Sequence, residues 1–413
     1  MGEQIRESEI IVDLKTYNNS FLKLRFMKNK MSLKMVLPVI SCFFVMGIVD
    51  LVGISTNYVK QDFGLKDSIA NLLPLSLFVW FAILAVPTSM VMNKIGRKRT
   101  VIISMMLTLL AMIVPLFVYN FPIMLLAFAL LGIGNTIIQV SLNPLLTNVV
   151  SSDRLTSSLT MGQFIKAIAA FLGPIIASWT ALRLGDWKLV FLIYGIATIL
   201  IGLWLILTPI TEEAAKQNTS SLGDTFALLK DKMILVFFIG ILFVVGIDVG
   251  LNTTVPKFLI EKSNIPLEQA GLGTSLYFIA RTLGTFIGAL LLVKFSAKRF
   301  FTISMLVAIP ALFIMLFTIK VWSILTLVFI VGFAVSNVFS IIFSFALMRK
   351  PEHANEISGL LIMGVAGGAI ILPLMGLAAD SFGQSVAMGL LLLLMGYLLY
   401  CSIIIKEEKE SVK

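Results

Sequence analysis

Four charged side chains stand deep inside otherwise apolar runs: Asp50, Lys166, Asp248 and Arg281. Asp50 lies in CFFVMGIVDLVGISTNYV, near the middle of an apolar run over 35–60. A run of that length spans a bilayer core of about 30 Å at about 1.5 Å rise per residue. An ionised acid at that depth costs at least about 2.5 kcal/mol on insertion scales and by default marks an ion or substrate pathway. The competing reading is a structural ion pair inside a helix bundle. Two acids and two bases allow a neutral core, whereas unpaired charges would be driven to their neutral forms. Lys166 and Arg281 are therefore the candidate partners of the acids, with the pairing left open.

Uncharged polar residues share helix faces with these charges. Asn135, Gln139 and Asn143 recur at i, i+4, i+8, which puts three amides on one stripe. Pro144 loosens the helix beside them. Interhelical hydrogen bonding, worth about 0.6–2 kcal/mol in membranes, competes with a pathway role. Three aligned amides favour a lining stripe. Gln163 and Lys166 stand at i, i+3, Asp248 and Asn252 at i, i+4, and Tyr277 and Arg281 at i, i+4. Gly284 and Gly288 follow on nearly the same face and read as close-packing positions. Ser336, Ser340 and Ser344 step by four beside Asn337; serines often bond back to their own helix. Phe78 and Trp80 read as packing.

The elements that must carry these residues are set by composition. The chain has 413 residues, 58% hydrophobic and 13% charged, with mean hydropathy +1.00. Soluble domains carry about 25% charged residues, so this is an all-α integral membrane protein. Twelve apolar runs are expected, near 35–60, 71–92, 98–119, 122–149, 156–182, 188–209, 233–260, 268–294, 298–319, 321–349, 355–380 and 384–406. The longest polar connection follows the sixth run. The expected organisation is a cytoplasmic segment 1–34, a six-helix half 35–210, a cytoplasmic linker 211–232, a second six-helix half 233–406 and a cytoplasmic tail 407–413. With the N-terminus inside, cytoplasmic segments hold 23 of the 32 Lys and Arg and outer segments hold seven. That bias puts both termini in the cytoplasm.

The net charge of +10 then reads as the basic side of a membrane protein, not as a nucleic-acid surface. The stretch before the first run lacks the short apolar core of a cleavable signal peptide. Cys42 and Cys401 sit in apolar runs and imply no disulfide, and the single histidine, His353, reads as a surface residue and rules out a multi-histidine metal centre. No G-x-x-x-x-G-K-[ST] loop occurs, so no ATP site is expected and energy must come from a gradient or transport must be passive.

The halves read as a repeat. Runs 1 and 7 each place an acid after a glycine, Gly47-Ile48-Val49-Asp50 and Gly246-Ile247-Asp248. Runs 5 and 11 share Ser158, Met161-Gly162 and Pro174 against Ser358, Met363-Gly364 and Pro373. Parallel repeats of this kind place a transport site at the midplane between them.

The segment Ser89-x-x-x-Asn93-Lys94-x-Gly96-Arg97-Lys98 resembles the motif G-x-x-x-D-[RK]-x-G-R-[RK] of the major facilitator superfamily, with Ser89 for the Gly and Asn93 for the Asp. The second half's VKFSAKRF is eroded further. Within that superfamily the chain resembles the fucose–galactose–glucose:proton symporter group. Asp50 in its GxxD context is similar to that group's helix-1 acid, Asn143-Pro144 to the end of its E-T-A-A-N-P segment with Gln139 at the Glu, and Gln163 and Lys166 to the Gln and Asn of A-Q-S-F-N. SGLLIMGVAGGAIILPLMGLAADSFG resembles its helix 11. The resemblance implies twelve helices in two halves and a non-enzymatic, monomeric secondary transporter without cofactor in the lipid of the cytoplasmic membrane. It implies import of a hexose-like sugar with protons, sodium being the other candidate ion. Asp50 would take the proton. Asn135, Gln139, Asn143, Gln163, Lys166, Asp248, Asn252, Tyr277, Arg281 and Asn337 would line the substrate site. The loss of the motif's Asp implies a weakened charge relay beside Asn93. The alternatives are an anionic solute such as a sugar acid, drawn by Lys166 and Arg281, and a non-transporting membrane sensor.

Overall fold

A computed structural model describes residues 33–65, 67–70, 72–212, 221–265 and 267–405. The expectations for 1–32, 213–220 and 406–413 lie outside the described residues. Among those described, twelve helices are long and apolar enough to cross a membrane. They are α1 Leu33–Asp62, α2 Leu72–Ile95, α3 Arg97–Phe117, α4 Phe121–Leu146, α5 Ser152–Leu184, α6 Leu189–Leu207, α7 Lys232–Ser263, α8 Leu272–Leu291, α9 Ala297–Leu316, α10 Val321–Arg349, α11 Pro351–Phe382 and α12 Gln384–Ile404. All twelve expected runs are present, with ends shifted by a few residues. The fifth begins earlier, at Ser152, where Ser, Asp and Arg are absorbed into a helical first turn.

Local chemistry sets the helix ends. Asn120 caps α4 by accepting from the Ile123 N–H at 3.0 Å, with proline in the first turn. Asp231 caps α7 by accepting from the Met233 N–H at 2.9 Å. Gly185 at φ 75° closes α5, a left-handed position that a side chain would strain. A short linker helix, Leu222–Ala227, opens on a capping box of Ser221 and Asp224.

Three spans are interrupted near mid-membrane. A 3-10 turn at Ile48–Asp50 breaks α1, another at Gly364–Gly367 breaks α11, and α10 is broken at Ser336–Asn337. Such breaks survive in a bilayer only where protein or a cavity satisfies the freed backbone groups.

The repeat is visible in packing. In the first half Gly132 of α4 lies against the Leu77 backbone of α2; in the second, Gly332 of α10 lies against Tyr277 of α8. A side chain at either would collide with the neighbouring helix, so small residues set these contacts. Gly284 and Gly288 of α8 pack against Ser336 and Asn337 of α10, as expected from their positions.

At one end of the bundle, α1 and α7 terminate in matching ties. Asp62 accepts from the Tyr119 hydroxyl and from Trp187 Nε1 at 2.9 Å, and Tyr58 stacks on Trp187 with ring centroids 4.9 Å apart. Burial and the neighbouring Asp62 carboxylate push the Tyr119 phenol above its ordinary range. In the second half Glu261 accepts from the Gln384 N–H at 2.9 Å, and Ser263 donates to the Ile319 carbonyl at 2.6 Å. Each half thus fastens its first helix to its two other hairpins.

At the opposite, linker end, hydrogen bonds join the halves. Ser157 of α5 donates to Ala289 O of α8 at 2.6 Å, and Ser358 of α11 donates to Val140 O of α4 at 2.6 Å. Thr156 of α5 meets Ser344 of α10 at 2.7 Å. Gly359 of α11 lets that helix approach Ala85 O and Ser89 of α2.

Candidate functional site: the charges at the centre of the bundle

The break in α1 is built from both sides. A 3-10 turn shifts the hydrogen-bond ladder and leaves the Met46 carbonyl without its usual helical partner. Asn135 of α4 supplies one, donating Nδ2 to Met46 O at 2.7 Å. On the other flank Gly47 lies against the Lys166 carbonyl of α5, so close that any side chain there would collide with that oxygen. Tyr194 of α6 holds the same stretch of α5 by donating to Ala169 O at 2.6 Å. Asp50 and Lys166 are thereby brought onto adjoining helices at one level.

Asp50 is exposed and Lys166 half-buried, although both sit mid-span on inner helices. Neither makes a hydrogen bond or an ion pair within 4.0 Å among the described residues. Their charged neighbours are each other, Arg281 and Asp248. In the second half Asp248 of α7 accepts from Tyr277 Oη at 2.5 Å and Arg281 Nη1 at 2.6 Å, both on α8. The Asp248 and Arg281 side chains stay 27% and 33% exposed. The pairing left open by the sequence is therefore asymmetric. Asp248 and Arg281 are joined directly, while Asp50 and Lys166 face each other across space. The accessibility continues along α1, where Asn57 and Gln61 are exposed on the face that carries Asp50.

The amide stripe of α4 does not line this opening. Asn135, Gln139 and Asn143 are buried. Gln139 donates to Asn135 Oδ1 at 2.7 Å, and Asn143 back-bonds to Gln139 O at 2.9 Å. Through Asn135 the stripe reaches the broken α1, and in this conformation its three amides are buried rather than exposed to the centre. Asn337 is buried as well, donating to Gly284 O at 3.0 Å and Ser336 Oγ at 2.8 Å. Gln163 and Asn252 are half-buried, and Asn252 gives its carbonyl to Thr274 Oγ1 at 3.0 Å.

The linker end holds a network that sequence reasoning missed. Asn93 donates to Glu356 Oε1 of α11 at 2.6 Å and accepts from Asn355 Nδ2 at 2.6 Å. Arg97 donates to Asn355 Oδ1 at 2.7 Å and reaches Asn148 Oδ1 at 2.7 Å. Glu356 is buried, and His353 Nδ1 stands 4.0 Å from its second oxygen while remaining half-buried. The amide at Asn93 does not leave this junction slack: the acid stands on the facing helix instead. The available signal was Glu356 itself, an acid at the first turn of the eleventh run. Glu212, just past α6, accepts from the Lys98 N–H at the start of α3.

Two like six-helix halves, broken spans at mid-membrane and accessible opposite charges between them define a membrane protein of the alternating-repeat transporter type. The family model of the Major Facilitator Superfamily matches residues 39–266 and 238–413, and the chain belongs to that family. A glucose/galactose transporter of Brucella abortus is 24% identical over 384 residues, covering 88% of this chain and 92% of that protein. The crystal structure of the E. coli fucose:proton symporter superposes with a TM-score of 0.80 at 16% identity, covering 90% of this chain and 98% of that one. The human organic anion transporter MFSD10 gives 0.70 at 13% identity, covering 89% and 99%. At these identities the two structures show the fold alone.

Proposed function

We propose that the chain imports a hexose-like sugar together with protons, with Asp50 as the proton-carrying group. The linker end is assigned to the cytoplasm, because basic residues concentrate there. The observation that carries the reading is Asp50 itself: an accessible acid, without a bonded partner among the described residues, facing Lys166 between two halves that are bonded at the linker end. In this outward-open arrangement a proton and a sugar can reach the centre from outside. Neutral Asp50 leaves the site ready for sugar; rocking of the halves then exposes it inward, where proton loss restores attraction to Lys166. Gln163, Lys166 and Asn252 would bond sugar hydroxyls, and the Asp248–Tyr277–Arg281 cluster would contribute from the second half. Sugar as substrate is supported by the Brucella relative, and proton coupling by the fucose symporter that shares the fold.

A neutral substrate fits the charge balance, since Asp248 already neutralises Arg281. Among the described residues Lys166 has no such contact, which favours a sugar acid as the second reading. The test compares the unaltered protein with Asp50→Asn in reconstituted vesicles, using D-galactose and D-glucuronate. The amide mimics the protonated acid but cannot release a proton. Galactose counterflow should survive while uphill uptake driven by a pH gradient fails. Normal uphill uptake would remove Asp50 from coupling, and glucuronate transport without galactose transport would replace the sugar by its acid.

A further inference from the structure

The α5–α10 contact carries a polar ladder that leads from the linker end to the centre. Its lowest rung is the bond between Thr156 and Ser344; Ser344 also donates to Ile341 O, so Thr156 donates across the interface. The helices run antiparallel here, because α5 and α10 cross in opposite directions. One turn nearer the centre stand Thr160 on α5 and Ser340 on α10, each four residues from its bonded neighbour and on the same face. Both are fully buried, 0% and 1% exposed, and among the described residues both hydroxyls are without a hydrogen-bond partner. The next rung up holds Gln163 on α5 and Asn337 on α10, whose Oδ1 is also unpartnered. Lys166 follows a turn beyond Gln163. A serine or threonine in a membrane helix ordinarily satisfies itself on the carbonyl three or four residues back, as Ser336 and Ser344 do. These two hydroxyls, one on each of the contacting helices, do neither, and a buried hydroxyl left unbonded is costly.

We infer that Thr160 and Ser340 form a transit subsite on the linker side, which takes the hydroxyls of the transported sugar once the Thr156–Ser344 contact opens. This rests on the sugar reading above. The subsite is buried in the present conformation and becomes accessible from the linker face only. Sugar would pass from Gln163 and Lys166 to this rung before release, exchanging hydrogen bonds as it moves.

The test is D-galactose transport in vesicles of both orientations, giving a KM at each face for the unaltered protein, Thr160→Val/Ser340→Ala and Thr160→Ser. The double variant should raise KM at the linker face by about threefold to tenfold, the loss expected for one or two hydrogen bonds. KM at the opposite face should not move, and Thr160→Ser should match the unaltered protein at both. If the hydroxyls served only to weaken the closed gate, their removal would favour the closed state, and KM would rise at the linker face while falling at the other; that result overturns the subsite. Unchanged KM at both faces overturns it too. Should the double variant fail to reach the membrane, Ser340→Ala alone, which removes one oxygen, decides by the same asymmetry. If the unaltered protein does not move galactose at either face, the sugar reading itself fails; transport with symmetric effects refutes the subsite alone.

Discussion

At the scale of single residues, the chain moves an acid without losing a contact. Asn93 stands where the superfamily motif places an aspartate, and Glu356 supplies the carboxylate from the other half at 2.6 Å. The amide donates to the acid, so the junction holds one negative charge, not two. Asn93→Asp would replace that donor by a second carboxylate against a buried one. The lost hydrogen bond to a charged group is worth about 1.5–3 kcal/mol before any repulsion is counted. The variant should therefore populate the linker-open state about tenfold or more, read as a longer distance between spin labels at the linker ends of α2 and α11. Adding Glu356→Gln should restore the closed distance, because donor and acceptor are merely exchanged. An unaltered distance in Asn93→Asp would show that the junction does not hold the gate. The acid of this pair was present in the sequence, but its partner could not be read there, since 263 positions separate Glu356 from Asn93.

Among the elements, helices were legible and their breaks were not. Apolar length is a local property, so span number and approximate limits followed from the chain itself. The 3-10 turn at Ile48–Asp50 depends on Asn135 from another helix and on Gly47 meeting Lys166, so no local pattern announces it. The same difference explains the amide stripe of α4. Spacing put three amides on one face, but which neighbour that face meets is a tertiary fact, and Asn135 at its start meets α1. Helix ends also carry a pH signature. Asp231 is half-buried at the start of α7, and that partial desolvation alone would raise its pKa. The Met233 N–H, with Lys350 and Arg349 from the end of α10, outweighs this and holds the carboxyl below its ordinary value. A depressed folded-state pKa contributes stability above the unfolded value and loses it as pH falls through the folded one. The unaltered protein should thus melt above Asp231→Asn at pH 7, with the gap closing as pH drops below about 4. A gap independent of pH would assign the effect to shape rather than charge.

For the whole molecule, the two-half architecture was readable because repetition leaves matching marks in both halves, such as the glycine shortly before each central acid. The asymmetry between halves was not. Asp248 meets Arg281 in one half while Asp50 stands off from Lys166 in the other. The connection between the halves adds a consequence of its own. Glu212 fastens its beginning to α3, and Asp231 fastens its end to α10. A scission within 213–220 would leave both fragments with their own ends secured, so covalent continuity should matter for meeting, not for shape. Once confined to one membrane plane, the fragments need only find each other, and tethering chiefly raises local concentration. Two open reading frames divided there, co-expressed, should yield a complex that co-purifies and moves galactose at a rate limited by assembly. Recovery of either fragment only as aggregate would show that the halves fold on each other.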